Sequence, residues 1–213
     1  QSIFATAQLG WKSKLYLDVT GRVDWSSALA WTDTKSVAYP SVGVSAILTE
    51  LLPIKNNVLT FLKVRGSYSE VGNAPTRYIA YQTYPYESAS PVTATTYPNT
   101  DIKPERTKAW EVGLQSHLWN DKLELNVSLY KTSTYNQLFN PSISASSGYS
   151  SIYINGGQVD NKGIEASLTL NQPLGPVQWN STFTYTINRN KIKKLLKPTT
   201  LSNGEVVKQD MMD

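Results

Sequence analysis

Cysteine is missing altogether, and histidine occurs once, as His117. The first absence excludes a disulfide framework and any thiolate metal site. The second removes most imidazole-based catalysis and zinc chemistry. No apolar run reaches the roughly 18 residues of a membrane-crossing helix. The opening residues Gln1-Ser2-Ile3-Phe4 show neither the basic n-region nor the apolar h-region of a signal peptide. The chain opens within a strand-like pattern, which leads us to expect that it starts inside a longer protein. Charge of one sign is also lacking: 20 basic residues stand against 16 acidic ones, a net of +4. The one dense basic cluster, Arg189, Lys191, Lys193, Lys194 and Lys197, reads as a solvated strand end and loop. A nucleic-acid binder shows a stronger, more localised basic footprint, so no nucleic-acid partner is expected.

What the chain does have is 13 tyrosines and 6 tryptophans among abundant Ser, Thr and Asn, a β-rich composition. Its informative signal has period two. In Leu15–Trp25, Leu15, Leu17, Val19, Gly21, Val23 and Trp25 alternate with Tyr16, Asp18, Thr20, Arg22 and Asp24. A pleated strand sends these two sets to opposite faces. The same alternation returns seven more times, beginning near Ile3, Val42, Leu62, Trp110, Leu123, Ile164 and Val177. These segments run to about 9–14 residues, against roughly 5 or 6 for ordinary globular strands and roughly 9–11 for a tilted strand crossing a bilayer.

The connections sort by length. The ones at 12–14, 50–57, 120–121 and 172–176 are short or moderate, and they alternate with longer ones at 26–37, 70–107, 135–161 and after Asn190. An up-and-down barrel places short turns on one rim and long loops on the other, as outer-membrane barrels do. Trp11, Trp25, Trp110, Tyr68 and Tyr185 stand near the ends of the apolar faces, where aromatic girdles meet the membrane interfaces. A charge facing hydrocarbon costs several kcal/mol. The polar faces should therefore turn to the lumen, with Arg22, Asp24, Arg65, Glu111 and Glu165 as the lumen-facing candidates. The expected fold is all-β: an antiparallel, up-and-down, transmembrane barrel segment of about eight long strands. In a soluble sandwich the polar faces would instead be the outer surface.

No catalytic constellation is visible, and neither a metal nor a cofactor is expected. His117 has no Ser or Cys partner in any motif. Glu111, Glu124 and Glu165 lie in separate strands, where polar-face alternation accounts for them. The connection 70–107 is the best candidate for ligand contact. It carries Tyr78, Tyr81, Tyr84, Tyr86 and Tyr97 among Ser and Thr, and flat aromatics with nearby hydroxyls suit a glycan or peptide. The same loop equally suits a partner protein or its own neighbours.

Six phrases carry a resemblance. They are Gly21-Arg22-Val23-Asp24-Trp25-Ser26-Ser27; Tyr39-Pro40-Ser41-Val42-Gly43-Val44-Ser45-Ala46, running on to Glu50; Leu62-Lys63-Val64-Arg65-Gly66-Ser67-Tyr68-Ser69-Glu70-Val71-Gly72-Asn73; Ile102-Lys103-Pro104-Glu105-Arg106-Thr107-Lys108-Ala109-Trp110-Glu111-Val112-Gly113-Leu114; Asn155-Gly156-Gly157 with Asn161-Lys162-Gly163-Ile164-Glu165; and Trp179 leading to Asn188-Arg189-Asn190-Lys191-Ile192. In order and spacing they resemble the SusC/RagA family of TonB-dependent outer-membrane transporters. Ser69 and Trp25 depart from it, standing where that family commonly has Gly. The resemblance implies that residues 1–213 are part of a barrel of about 22 strands with a plugged lumen, the plug and remaining strands being absent from this chain. It also implies a multi-pass place in a Gram-negative, Bacteroidetes-like outer membrane, in contact with its lipid. The implied activity is energised import of oligosaccharides or peptides, with a SusD-like surface lipoprotein and, through parts not in this chain, the TonB complex. The residues alone leave two other readings open: a passive porin or small eight-stranded barrel, which can close, and a soluble carbohydrate-binding or adhesion sandwich.

Overall fold

The computed structural model describes residues 1–52, 54, 56–81, 84, 86–87, 90–91, 94–194, 199–200 and 206–207. Eight long strands dominate it: β1 (Ser2–Trp11), β2 (Leu15–Trp25), β3 (Ser36–Ile47), β4 (Leu59–Asn73), β5 (Glu105–Leu118), β6 (Leu123–Phe139), β7 (Ile154–Leu174) and β8 (Val177–Lys194). All pair antiparallel with their sequence neighbours, so spatial order repeats sequence order. This is one sheet, and among the described residues no second large sheet faces it, as a sandwich would require. Among the described residues β1 and β8 each pair on one side only, so the eight strands do not close into a small barrel.

The alternation read from sequence survives as register. Val19 of β2 stands opposite Val42 of β3, Val42 opposite Tyr68 of β4, and Tyr68 opposite Trp110 of β5. Further along, Leu129, Ile164 and Ile187 form a continuous row across β6, β7 and β8. The apolar residues of the alternating runs therefore share one face across the eight strands, while Phe4, opposite Arg22, Ile47, opposite Lys63, and Val71, opposite Thr107, lie on the other. The apolar face is open: Trp110 is 60% exposed and Phe183 62%. The buried hydrophobic residues lie elsewhere. Leu29, Ile79, Ala80, Ile102 and Ile152 belong to the long connections, with Val37 and Ile154 at the strand ends beside them. Hydrophobic packing thus concentrates where the loops fold on one another, whereas the sheet exposes a broad apolar belt. A soluble monomer rarely shows so large an apolar patch.

Turn chemistry fixes one rim. Lys12 and Ser13 both take positive φ between β1 and β2, the backbone that a tight hairpin favours. Trp119, Asn120 and Asp121 do the same between β5 and β6, and Gly175-Pro176 joins β7 to β8. The connection 48–58 shares this rim and begins with a one-turn helix, Leu48–Leu51. It is no shorter than the connection 26–35 on the other rim, so length alone does not sort these two. The connections 26–35, 74–104 and 140–153 gather at the second rim. There the strands run further than their alternation suggests, and β7 spans 21 residues. Its first part, Ile-Asn-Gly-Gly-Gln-Val-Asp-Asn, does not alternate but still pairs with β6. A backbone ladder persists where both faces are polar.

Candidate functional site

The polar face carries a strand-to-strand network centred on Arg65. Its Nη2 donates to Ser128 Oγ at 2.6 Å, its Nη1 to Asn126 Oδ1 at 3.5 Å, and its Nε lies 3.5 Å from Glu111 Oε1. Arg65 sits on β4 and Ser128 on β6, with Gly113 of β5 as the Cα partner of both. A Cβ at Gly113 would fall 2.6 Å from Arg65 Nε, so the bare glycine opens the path across β5. Gly163 has a similar use. A Cβ there would meet both the Tyr130 ring and the Ile187 carbonyl at 2.5 Å. The aromatic ring covers the glycine.

Near the long-loop rim, Arg22 Nε donates to Asp24 Oδ1 at 2.7 Å. This pair lines a polar cleft of about 380 Å³ with Tyr39, Arg77 and Leu29. Glu165 is exposed on the same face, between Ser128 and Thr186, and has no ion-pair partner within 4.0 Å among the described residues. At the opposite rim His117 Nδ1 lies 2.8 Å from Asp121 Oδ1, with Gln115 and Glu124 beside Nε2. Among the described residues no three His, Cys, Asp or Glu groups come together with metal-holding geometry. The polar face offers donors and acceptors linked from strand to strand.

The loop aromatics separate into two kinds. Tyr78, Tyr81 and Tyr84 are exposed, and Tyr81 stacks on Trp31 of the connection 26–35 with centroids 4.7 Å apart. Tyr97 instead meets Tyr149 edge-on at 5.2 Å and packs against the cluster Ile143, Ile152 and Ile154. The Tyr86 side chain lies outside the described residues, as does Lys197 of the basic cluster. Sequence reasoning passed over Trp31, because no local pattern links it to Tyr81, 50 positions away.

Two of the quoted phrases meet here. Asn155 accepts from Lys103 N–H at 2.6 Å, donates to the Lys103 carbonyl at 2.8 Å and donates to the Asn136 carbonyl at 2.8 Å. Asn99 Nδ2 donates to the Tyr153 carbonyl at 2.9 Å, and Glu105 Oε1 accepts from Leu138 N–H at 3.0 Å. The foot of the 74–104 connection is thus tied to the β6–β7 side of the rim.

Known proteins share this fold. Residues 1–207 match the family described as "TonB dependent receptor-like, beta-barrel". The TonB-dependent receptors P3 and P26 of Formosa agariphila are 29% and 28% identical to the chain over 91% of its length, each match covering 20% of the relative. The RagAB peptide importer in its open-open state superposes with a TM-score of 0.82 at 25% identity, over 95% of this chain and 23% of that one. The chain therefore spans about a fifth of the length of the relatives it matches. A match over nearly the whole chain, on one antiparallel sheet of eight strands, places it in the TonB-dependent receptor family as part of the β-barrel.

Proposed function

We propose that this chain forms part of the wall of an outer-membrane transporter that imports oligosaccharides or peptides, energised through TonB and capped by a SusD-like surface lipoprotein. The observation that carries the reading is the single sheet whose alternating apolar side chains form one exposed belt on one face. Lipid suits that face, and hydrocarbon tolerates strands only when every backbone group has a partner. The free edges of β1 and β8 then require further strands, which a larger barrel supplies. Arg22, Asp24, Arg65, Glu111 and Glu165 face its lumen. The rim carrying Tyr78, Tyr81 and Tyr84 faces outward, toward substrate and the lipoprotein. The likeness to RagAB, described as a peptide importer, favours peptides as the cargo.

Uptake of labelled oligosaccharides and peptides tests this. Cells that carry the full-length protein should accumulate one of the two classes, and loss of TonB should abolish accumulation. Uptake that persists without TonB would make the protein a passive pore.

A further inference from the structure

The apolar face ends, toward the long loops, in a row of cations that the polar-face network does not use. Lys131 of β6 is the Cα partner of Lys162 of β7, and Lys162 is the partner of Arg189 of β8. These three share the parity of Leu129, Ile164 and Ile187, the neighbouring row toward the short turns. Three basic side chains therefore stand on three adjacent strands where the apolar belt stops. Strand spacing spreads them over roughly 10 Å. All three are exposed, and none has an ion-pair partner within 4.0 Å among the described residues. Like charges directly opposite in a sheet repel, so the row calls for an external counter-charge. Asp160, one row further up, already accepts from Gln158 Nε2 at 2.9 Å. Lys191 and Ser133 are its strand partners, and Lys131 and Lys193 lie in its field. Beside the cations opens a cleft of about 510 Å³, with Trp110, Val112, Leu129, Ile164 and Ile187 in its lining.

We propose that Lys131, Lys162 and Arg189 bind the phosphorylated headgroup of an outer-leaflet lipid, whose acyl chains lie in this cleft and along the belt below it. Guanidinium and ammonium groups form charge-assisted hydrogen bonds to phosphate oxygens, and their long stems lie along apolar surface while the heads reach the interface. A free anion would use the cations and leave the cleft empty. An amphiphile uses both, with charge and hydrocarbon in the order that a leaflet presents them. The inference rests on the lipid-facing reading of this face.

The test uses the full-length protein, extracted from outer membranes in mild detergent, washed, and examined by native mass spectrometry and phosphorus assay. The unaltered protein should retain a phosphorylated lipid. The triple variant Lys131→Gln, Lys162→Gln, Arg189→Gln should retain at least about tenfold less, as the loss of charge-assisted bonds implies. Lys12→Gln with Lys122→Gln at the other rim should retain it, as should the charge-preserving Lys131→Arg with Lys162→Arg. Undiminished retention by the triple variant overturns the site, and so does displacement of the lipid by inorganic phosphate alone. A nitroxide at Val112, probed with oxygen in bilayers, reports the lipid-facing reading separately. Oxygen exposure there together with undiminished lipid in the triple variant would sink this site and leave that reading standing.

Discussion

Asn155 and Lys103 lie 52 residues apart, and the side-chain amide of the first brackets the main chain of the second, accepting its N–H at 2.6 Å and donating to its carbonyl at 2.8 Å. An amide can do both at once because it carries an acceptor and two donors. Replacing Asn155 by Leu removes these bonds and the one to Asn136, each contributing about 0.5–1.5 kcal/mol. Limited proteolysis of the full-length protein should then cut within 74–104 markedly faster, with the unfolding midpoint of the barrel little changed. An unaltered cleavage rate would show that the joint does not hold the loop.

The Arg65 network yields a coupling prediction. Arg65→Gln removes the cation, and Gly113→Ala places a methyl 2.6 Å from where Arg65 Nε lies. Each should lower stability by about 1 kcal/mol in urea titrations of the full-length protein in bilayers. The double variant should lose no more than the worse single, because both changes break the same bonds. Full additivity would show that the two residues act independently.

Phe183 and Thr184 are chain neighbours on opposite faces of β8, about midway between its rims. Phe183→Arg should cost about 2–4 kcal/mol in bilayers, the penalty for a cation near the membrane midplane, and Thr184→Arg close to nothing. Equal costs would refute the assignment of faces. A larger cost at Thr184 would invert it.

The Trp31 and Tyr81 rings form one stacked platform contributed by two loops. Such a pair contributes about 0.5–1.5 kcal/mol beyond burial. Trp31→Ala and Tyr81→Ala should each weaken binding of the substrate proposed above by about two- to thirteenfold, the fold-change equivalent to that coupling. The double variant should bind no worse than either single. Undiminished binding in both singles would assign the stack to loop packing alone.

The strands were legible because the belt demands apolar residues at alternate positions, as Leu15–Trp25 shows without interruption. Their upper ends were not. Around Gln158 and Asp160 both faces are polar, and nothing in the side chains announces the ladder that continues there. The short turns at Asn120-Asp121 and Gly175-Pro176 were visible as the brief gaps between alternating runs. The row of Lys131, Lys162 and Arg189 was invisible, since its members sit in three separate strands and only register aligns them. Arg189 had read as part of a solvated strand end. Tyr97 resembled Tyr81 in the sequence, and only the packing of the loops separates a side chain held in a cluster from one presented on the rim.

Spatial order that repeats sequence order has a consequence for how such a wall changes over time. Within this sheet every ladder joins strands that are neighbours in sequence, so the hairpin is a natural unit of change. Gaining or losing one alters the circumference by two strands, and only the two flanking strands take a new partner, again an antiparallel one. Barrels of different girth can arise from one another by duplicating or discarding a single hairpin, with no need to re-thread the chain.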